Sequence, residues 1–391
     1  MIDDVLLLCS DLIRCKSITP ADDGVFDYIS NYLSKAGFDT KVLTFTSPDG
    51  KNSVKNLYAR YKGRSSTDTD TNGKILGFMG HADVVPAGDA WEVDPFEGVL
   101  KDGYLYGRGV CDMKGGIAAF CSAVSEFIRQ KSHDFDGSIV ILITGDEENG
   151  TKEGIQSLIE WCKEYGEFPN DCLIGEPSSK EETGDRIYIG HRGSINITAK
   201  SVGKQGHVAY QGSYVNSLSN LCKYITKMLK YEWKYEDKRF PKTNIEPTML
   251  FTNNYATNVV PDKSSANLNI RYSSDYHASD LEKICKSEAH EYGISLEFDI
   301  SGDAYCCDDP NLKSLLSSSI NEVTGLTPEF SCAGGTSDGR YMIKYCNIIE
   351  FGLPDANIHQ KNERAKVDDI LTLSKIYLNF LLKYFGLTIL C

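Results

Sequence analysis

The sequence predicts an α/β protein in two parts: a larger one on a mostly parallel mixed sheet flanked by helices, and a smaller α+β part inserted into it. Three observations lead there. Short runs such as Ile139-Val140-Ile141-Leu142-Ile143 and Cys172-Leu173-Ile174 are apolar at every position, which suits strands covered on both faces. Segments with apolar residues three and four apart, as in Ile117 to Ile128, lie between such runs and read as helices. From Ile187 the texture changes to alternating strands, Ile187 to Ala199 and Ser265 to Tyr272, around segments of helical spacing. At 391 residues the chain exceeds what one core usually supports. The larger part takes 1–181 and 302–391, and the insertion 182–301, an ordinary size for a small domain.

In chain order, Val5 to Ile13 and Val25 to Leu33 have helical spacing, and Val42 to Phe45 and Leu57 to Tyr61 are strand-like. The polar, turn-rich stretch 65–73 reads as a hairpin tip. Leu76 to His81 is the next apolar strand, and the turn at Gly107-Arg108-Gly109 leads through Asp112 into the Ile117 helix. A helix begins near Lys152, others span Ser217 to Leu229 and Leu281 to Tyr292, and a strand runs from Ile294 to Ile300. The larger part resumes with a helix from Asn311 to Thr324, a loop from Cys332 to Gly339, and a strand from Asn347 to Phe351. In the last helix Ile370, Leu373, Ile376, Tyr377, Phe380 and Leu381 recur at helical spacing with Lys375 and Lys383 between them, which fits a packed helix and not a membrane span.

Acidic residues outnumber basic ones by 55 to 41, for a net charge of −14, so neither nucleic acid nor an anionic membrane is an expected partner. Thirteen cysteines are an odd number, irregularly spaced and without a Cys-x-x-Cys pair, and the chain opens with Met1-Ile2-Asp3-Asp4 where a secretory signal would be basic. We expect a cytoplasmic protein with free thiols, and only whether Cys332 meets Cys346 stays open.

The chemistry gathers at strand ends. His81 ends the Leu76 run, Glu147 and Glu148 follow the Ile139 run, Glu176 the Cys172 run and His359 the Asn347 run, while Asp112 precedes a helix. In a mostly parallel sheet these residues share one carboxyl edge. Singly each has a bland reading as a packed or solvated side chain. Together, four carboxylates and two imidazoles in a small volume require cations, because like charges at contact distance force protons on. Two divalent ions answer that need, and an N/O donor set without thiolate suits Zn²⁺ first, then Co²⁺ or Mn²⁺. His81 and Glu176 would hold one, His359 and Glu148 the other, with Asp112 between. Neighbours in an extended segment point to opposite sides, which leaves Glu147 free to act as general base beside Glu148. Asp83 would accept from the far ring nitrogen of His81. Gly335-Thr336-Ser337-Asp338-Gly339 matches the serine-hydrolase elbow, but only a weak strand precedes it. His133, His277 and His290 lie in polar contexts and read as solvated.

Gly80-His81-Ala82-Asp83-Val84-Val85-Pro86, Gly107-Arg108-Gly109 with Asp112-Met113-Lys114-Gly115, Asp146-Glu147-Glu148, Gly175-Glu176-Pro177-Ser178 and Ile358-His359-Gln360 with Asn362-Glu363 resemble the M20 family of metal-dependent aminoacyl hydrolases, in order and over nearly the whole chain. Within it they are most similar to the branch that releases succinate and LL-2,6-diaminopimelate from N-succinyl-LL-2,6-diaminopimelate in lysine and cell-wall biosynthesis. The resemblance implies a catalytic domain, an inserted dimerisation (lid) domain, a homodimer, two Zn²⁺ per subunit and a cis peptide after Asp112. It also implies that Arg192, Asn258, Arg271, Gly335, Thr336 and Ser337 bind the small-molecule substrate, and that His207 is lent to the oxyanion by the partner subunit. Arg192 and Arg271 supply planar forks suited to carboxylates. His191, Thr257 and Gln211 depart from the usual pattern, where arginine, asparagine and proline are common. Those differences bear on substrate grip, so another deacylase of the family, such as one acting on acetylornithine, is the nearest alternative; a non-catalytic, metal-stabilised dimer is the alternative from another class.

Overall fold

The computed structural model describes residues 2–64, 73–165 and 168–387. The expected hairpin tip, apart from Gly73, lies outside the described residues.

The chain separates into two compact units. The first comprises Met1–Ile189, Cys307–Phe330 and Tyr341–Cys391, and the second Gly190–Cys306 and Ser331–Arg340. Three stretches therefore fall differently from the sequence boundaries: 182–189 stays with the first unit, while 302–306 and 331–340 belong to the second. The strand Arg186–Tyr188 stays with the first unit because Tyr188 pairs antiparallel with Glu350 in its main sheet. The segment Ser331–Arg340 joins the second unit, where Arg271 Nη1 donates to Thr336 Oγ1 at 2.9 Å and the Tyr305 hydroxyl lies 3.3 Å from Ser337 Oγ.

The first unit carries an eight-stranded mixed sheet in the order Asp39–Thr46, Ser53–Lys62, Ser138–Thr144, Ile75–His81, Asp171–Ile174, Asn347–Glu350, Arg186–Tyr188, Glu329–Ser331. Its four central strands, Ser138–Thr144, Ile75–His81, Asp171–Ile174 and Asn347–Glu350, are mutually parallel. Antiparallel partners extend it beyond them. All seven residues of Ser138–Thr144 are buried, as its unbroken apolar run requires.

Register decides which side chains meet which helix. Phe78 stands beside Ile141 and Ala59 on one face, while Met79, Leu142 and Tyr58 share the other. On the first face Phe120 of the helix Gly115–Lys131 stacks on Phe78 with ring centres 4.0 Å apart, and Tyr377 of the helix Val367–Tyr384 meets both edge-on. On the second, Trp161 of the helix Ile155–Tyr165 packs against Tyr58. The strand core is thus sealed from both sides by aromatic contacts. The helix Pro310–Thr324 illustrates how locally such elements are encoded: Asp309 caps it by accepting from the Leu312 amide, proline opens it, and Gly325 ends it at φ 78°.

In the second unit four antiparallel strands run in the order Asn244–Thr252, Lys263–Tyr272, Gly193–Val202, Ile294–Gly302. Ile195, Ile197, Leu268 and Ile270 bury one face with Leu221, Tyr224 and Met228 of the helix Ser217–Leu229 and Leu281 and Cys285 of the helix Ala278–His290. The opposite face is polar, where Asn269 Nδ2 donates to Asn196 Oδ1 at 2.8 Å. Such alternation is the usual mark of an antiparallel sheet covered on one side. Sequence reading missed the strand Asn244–Thr252, whose Pro247 and run of exposed side chains hide its period.

No helix among the described residues is long and apolar enough to cross a membrane. The cysteines among the described residues are free thiols, Cys332 and Cys346 included.

Ile141 is fully buried on the aromatic face, between Phe78 of a parallel neighbour and Ala59 of an antiparallel one. Ile141→Ala removes that side chain from a site with little room to collapse and is expected to cost about 3 kcal/mol, read as a lower urea midpoint at unchanged slope.

Candidate metal centre

Parallel register delivers four of the five candidate ligands to one sheet edge. His81 is the last residue of its strand, Glu148 follows Ser138–Thr144, Glu176 lies two residues past Asp171–Ile174, and His359 stands in the loop after Asn347–Glu350. Asp112 comes from the turn Val110–Lys114, ahead of the helix Gly115–Lys131. The Asp112–Met113 peptide is cis. That turn runs tight against the strand ends: Gly109 has φ 82°, and a Cβ on Gly116 would lie 2.4 Å from the Gly175 carbonyl oxygen. Glycine is required at each for a different reason, backbone angle at one and close approach at the other.

Two donor groups result. His81, Asp112 and Glu176 form one, and Asp112, Glu148 and His359 the other, with the ligand atoms of each within 4.8 Å of one another. His81 Nε2 lies 3.0 Å from Asp112 Oδ1 and 3.7 Å from Glu176 Oε1. His359 Nε2 lies 3.2 Å from Asp112 Oδ2 and 3.0 Å from Glu148 Oε1. Each oxygen of Asp112 therefore faces a different imidazole.

The acid two residues on, Asp83, does more than face the ring of His81. His81 Nδ1 sits 3.0 Å from the backbone carbonyl of Asp83, with the Asp83 carboxylate farther away at 3.5 Å. A carbonyl only accepts, so Nδ1 carries its hydrogen and Nε2 is the nitrogen turned to the donor group. The Asp83 carboxylate also receives the amides of Glu147 and Glu148, at 3.1 and 3.2 Å. Asp146, buried at φ 62°, completes that turn by accepting from Thr19 and Asn149. The acidic run thus contains one turn-forming residue, Asp146, and two whose backbone is clamped from the His81 strand.

Electrostatics test whether cations suit this set. Burial works against charge on His81, yet hydrogen bonds with Asp112 and Asp83 and the nearby Glu176 leave its ring well above the ordinary range. Bonds from His359 and His81 hold the buried Asp112 carboxyl below the usual carboxylate range, against the cost of its desolvation. Hydrogen bonds to Asp112 and Glu148 push His359 up to about 10. Glu176 is driven well up by burial, with Asp112 and Glu147 adding to the effect against His81. Protons on two imidazoles and a carboxylate that resists charge occupy the role that divalent cations fill, and the N/O donors are of the right kind.

Comparison with known proteins decides the lineage. The model of peptidase family M20/M25/M40 matches residues 77–383. The chain belongs to the M20 family. Among curated M20 relatives, a succinyl-diaminopimelate desuccinylase of Ehrlichia canis is 41% identical over 393 residues, covering 98% of this chain and 99% of that one. Another, of Bradyrhizobium sp. strain BTAi1, is 40% identical over 392 residues, covering 98% of this chain and all of the relative. An M20 metallo-carboxypeptidase of Sulfolobus solfataricus shares the fold at 17% identity, with a TM-score of 0.77 over 97% of this chain and 98% of that one.

The other residues that the M20 resemblance singles out lie in the second unit. His207 sits on a two-stranded ribbon, paired with Val259, and Asn258 lies in the turn just before that partner strand, its carbonyl accepting from the Val208 amide at 3.0 Å. His207 is exposed, and its Nδ1 accepts from the Ala209 amide at 3.1 Å. Arg192 Nη1 donates to Asn244 and Arg271 Nε to Asn269, both neutral partners. Burial and the neighbouring Arg271 hold the Arg192 guanidinium below its usual range, and burial with Arg340 does the same to Arg271. Three cations thus crowd together, with Thr336 on Arg271. Gly335 has open space where a Cβ would project, while Ser337 Oγ accepts from the Gly339 amide at 3.1 Å and caps the short turn after it. Sequence reading passed over Arg340, for which only its place after the Gly335 loop was a signal.

In metal-free protein the raised His359 pKa carries a pH dependence of stability. Its folded value of about 10 exceeds the unfolded value near 6.5. The stabilisation is therefore complete below about pH 6.5 and disappears as pH rises through 10. With a chelator present, the urea midpoint is expected to fall between pH 7 and 10, and more shallowly in His359→Gln.

Proposed function

We propose that this protein is a dinuclear metal amidohydrolase that converts N-succinyl-LL-2,6-diaminopimelate to succinate and LL-2,6-diaminopimelate. The observation that carries the reading is the pair of donor groups sharing Asp112, with Glu147 adjacent to Glu148. The names of the two full-length relatives supply the substrate. His81, Asp112 and Glu176 would hold one cation and Asp112, Glu148 and His359 the second, with Zn²⁺ the best fit to these donors and Co²⁺ or Mn²⁺ the next.

When bound, such cations supply Lewis acidity at the scissile carbonyl and lower the pKa of the attacking water. Glu147 takes one proton from that water as its oxygen adds to the carbonyl carbon, then returns it to the amine nitrogen as the C–N bond breaks. Asp83 holds the Glu147 amide and so aims the base. His207, contributed by a second copy of the chain, donates to the developing oxyanion. Arg192 and Arg271 bind substrate carboxylates, and Asn258, Gly335, Thr336 and Ser337 the remaining polar groups.

The partner is a second copy, engaged through the second unit. Asn244–Thr252 is an edge strand, and Met249, Leu250 and Phe251 are 57%, 52% and 54% exposed on it. An unpaired apolar edge of this kind is a template for strand addition. Free thiols support a cytoplasmic setting.

Glu147→Gln keeps the shape of the base without its proton affinity. It is expected to retain its metal content and lose about 10²–10⁴-fold in kcat; activity near wild type would refute the role. Turnover of the succinylated substrate should exceed that of acetylornithine, and the reverse order would name the other deacylase. Leu250→Lys is expected to shift sedimentation from dimer to monomer.

A further inference from the structure

Arg108 and Glu363 form a dry ion pair that the proposed reaction does not use. Arg108 Nη1 lies 2.7 Å from Glu363 Oε2, with the side chains 3% and 1% exposed. The same carboxylate accepts from the turn that carries Asp112: from the Gly109 amide at 3.0 Å, the Cys111 amide at 2.9 Å and the Asp112 amide at 3.4 Å. Arg108 extends the tie in two directions. Its Nη1 also donates to the carbonyl of Gln360, the residue after His359, at 3.2 Å, and its Nη2 to the carbonyl of Ala87, on the chain leaving the His81 strand, at 3.3 Å. Trp91 lies against the guanidinium, 5.2 Å from ring centre to Cζ. The His359 loop is itself bent, with His359 and Asn362 both at φ 59°, a left-handed conformation uncommon outside glycine that asparagine and histidine adopt more readily than most.

Stability explains such a pair poorly. Desolvating two charges costs about as much as their attraction returns, and apolar residues of similar volume often do as well. Geometry explains it better, because the chain leaving the His81 strand and the loops that bear Asp112 and His359 meet at this single contact. Asp112 belongs to both donor groups, so whatever pins its backbone acts on both.

We propose that Arg108 and Glu363 are positioning residues: their buried pair fixes Asp112 and His359 relative to one another and thereby sets the affinity of both donor groups for divalent cations. This rests on the proposed function, in which those groups hold metal. Carboxylates and carbonyls that orient ligands from behind typically change metal affinity by about 10–100-fold when altered.

Glu363→Gln keeps the volume but turns an N–H₂ toward backbone donors, and Arg108→Lys keeps the charge but cannot reach Glu363, Gln360 and Ala87 together. Each variant, stripped of metal and checked for folding by far-ultraviolet circular dichroism, is titrated with Co²⁺ while the isotherm and the visible ligand-field bands are recorded. Glu363→Gln is expected to bind at least about ten-fold more weakly at both steps, with shifted bands. Arg108→Lys is expected to weaken the same steps by a smaller factor. Folded variants with wild-type affinity and bands, changed only in melting temperature, would overturn the proposal, as would failure of both to fold. If wild-type protein binds two Co²⁺ but does not hydrolyse the succinyl amide, the proposed function fails while the isotherms still judge the positioning claim.

Discussion

Parallel register among four central strands is the constraint on which the candidate centre depends. Ser138–Thr144, Ile75–His81, Asp171–Ile174 and Asn347–Glu350 all point the same way, so the loops leaving their carboxyl ends emerge on one edge. A single reversed strand would carry its ligand to the opposite side. The aromatic packing of Phe78, Phe120 and Tyr377 on one face and of Tyr58 with Trp161 on the other keeps the strands in this register, because a slip by one residue would exchange the two faces.

The same arrangement concentrates unlike demands. Asp112, Glu148 and Glu176 bring three carboxyl groups into a largely buried space, and the backbone around them is held by two further carboxylates, Asp83 and Glu363, through amide hydrogens. Acids thus play two parts here. Some present oxygen to a neighbouring imidazole, while others spend theirs on fixing loops. Only the first kind can meet a cation.

Much of this was legible in the sequence because apolar runs ending in acids or imidazoles are a signal of period and position together. The Ile139 and Cys172 runs identified buried parallel strands, and His81, Asp112, Glu148, Glu176 and His359 do converge. The illegible part depends on three-dimensional neighbours. The Asp83 carboxylate lies nearer two backbone amides than the imidazole two residues away, since the strand end brings residues 147 and 148 beside it. Ser331–Arg340 pairs with Arg271 and Tyr305, contacts that no local pattern announces. Asn244–Thr252 escaped notice because an exposed edge strand needs no strict alternation.

Asp83 joins two duties at one carboxylate. One oxygen holds the amide of Glu147 and the other that of Glu148, so the side chain proposed to move protons and the one proposed to hold a cation hang from a common support. Neither can be re-aimed alone by changing what lies beneath it. Natural variation at this position would therefore be expected to alter proton transfer and ion retention in step, and a lineage seeking a different reaction rate would have to look elsewhere in the chain.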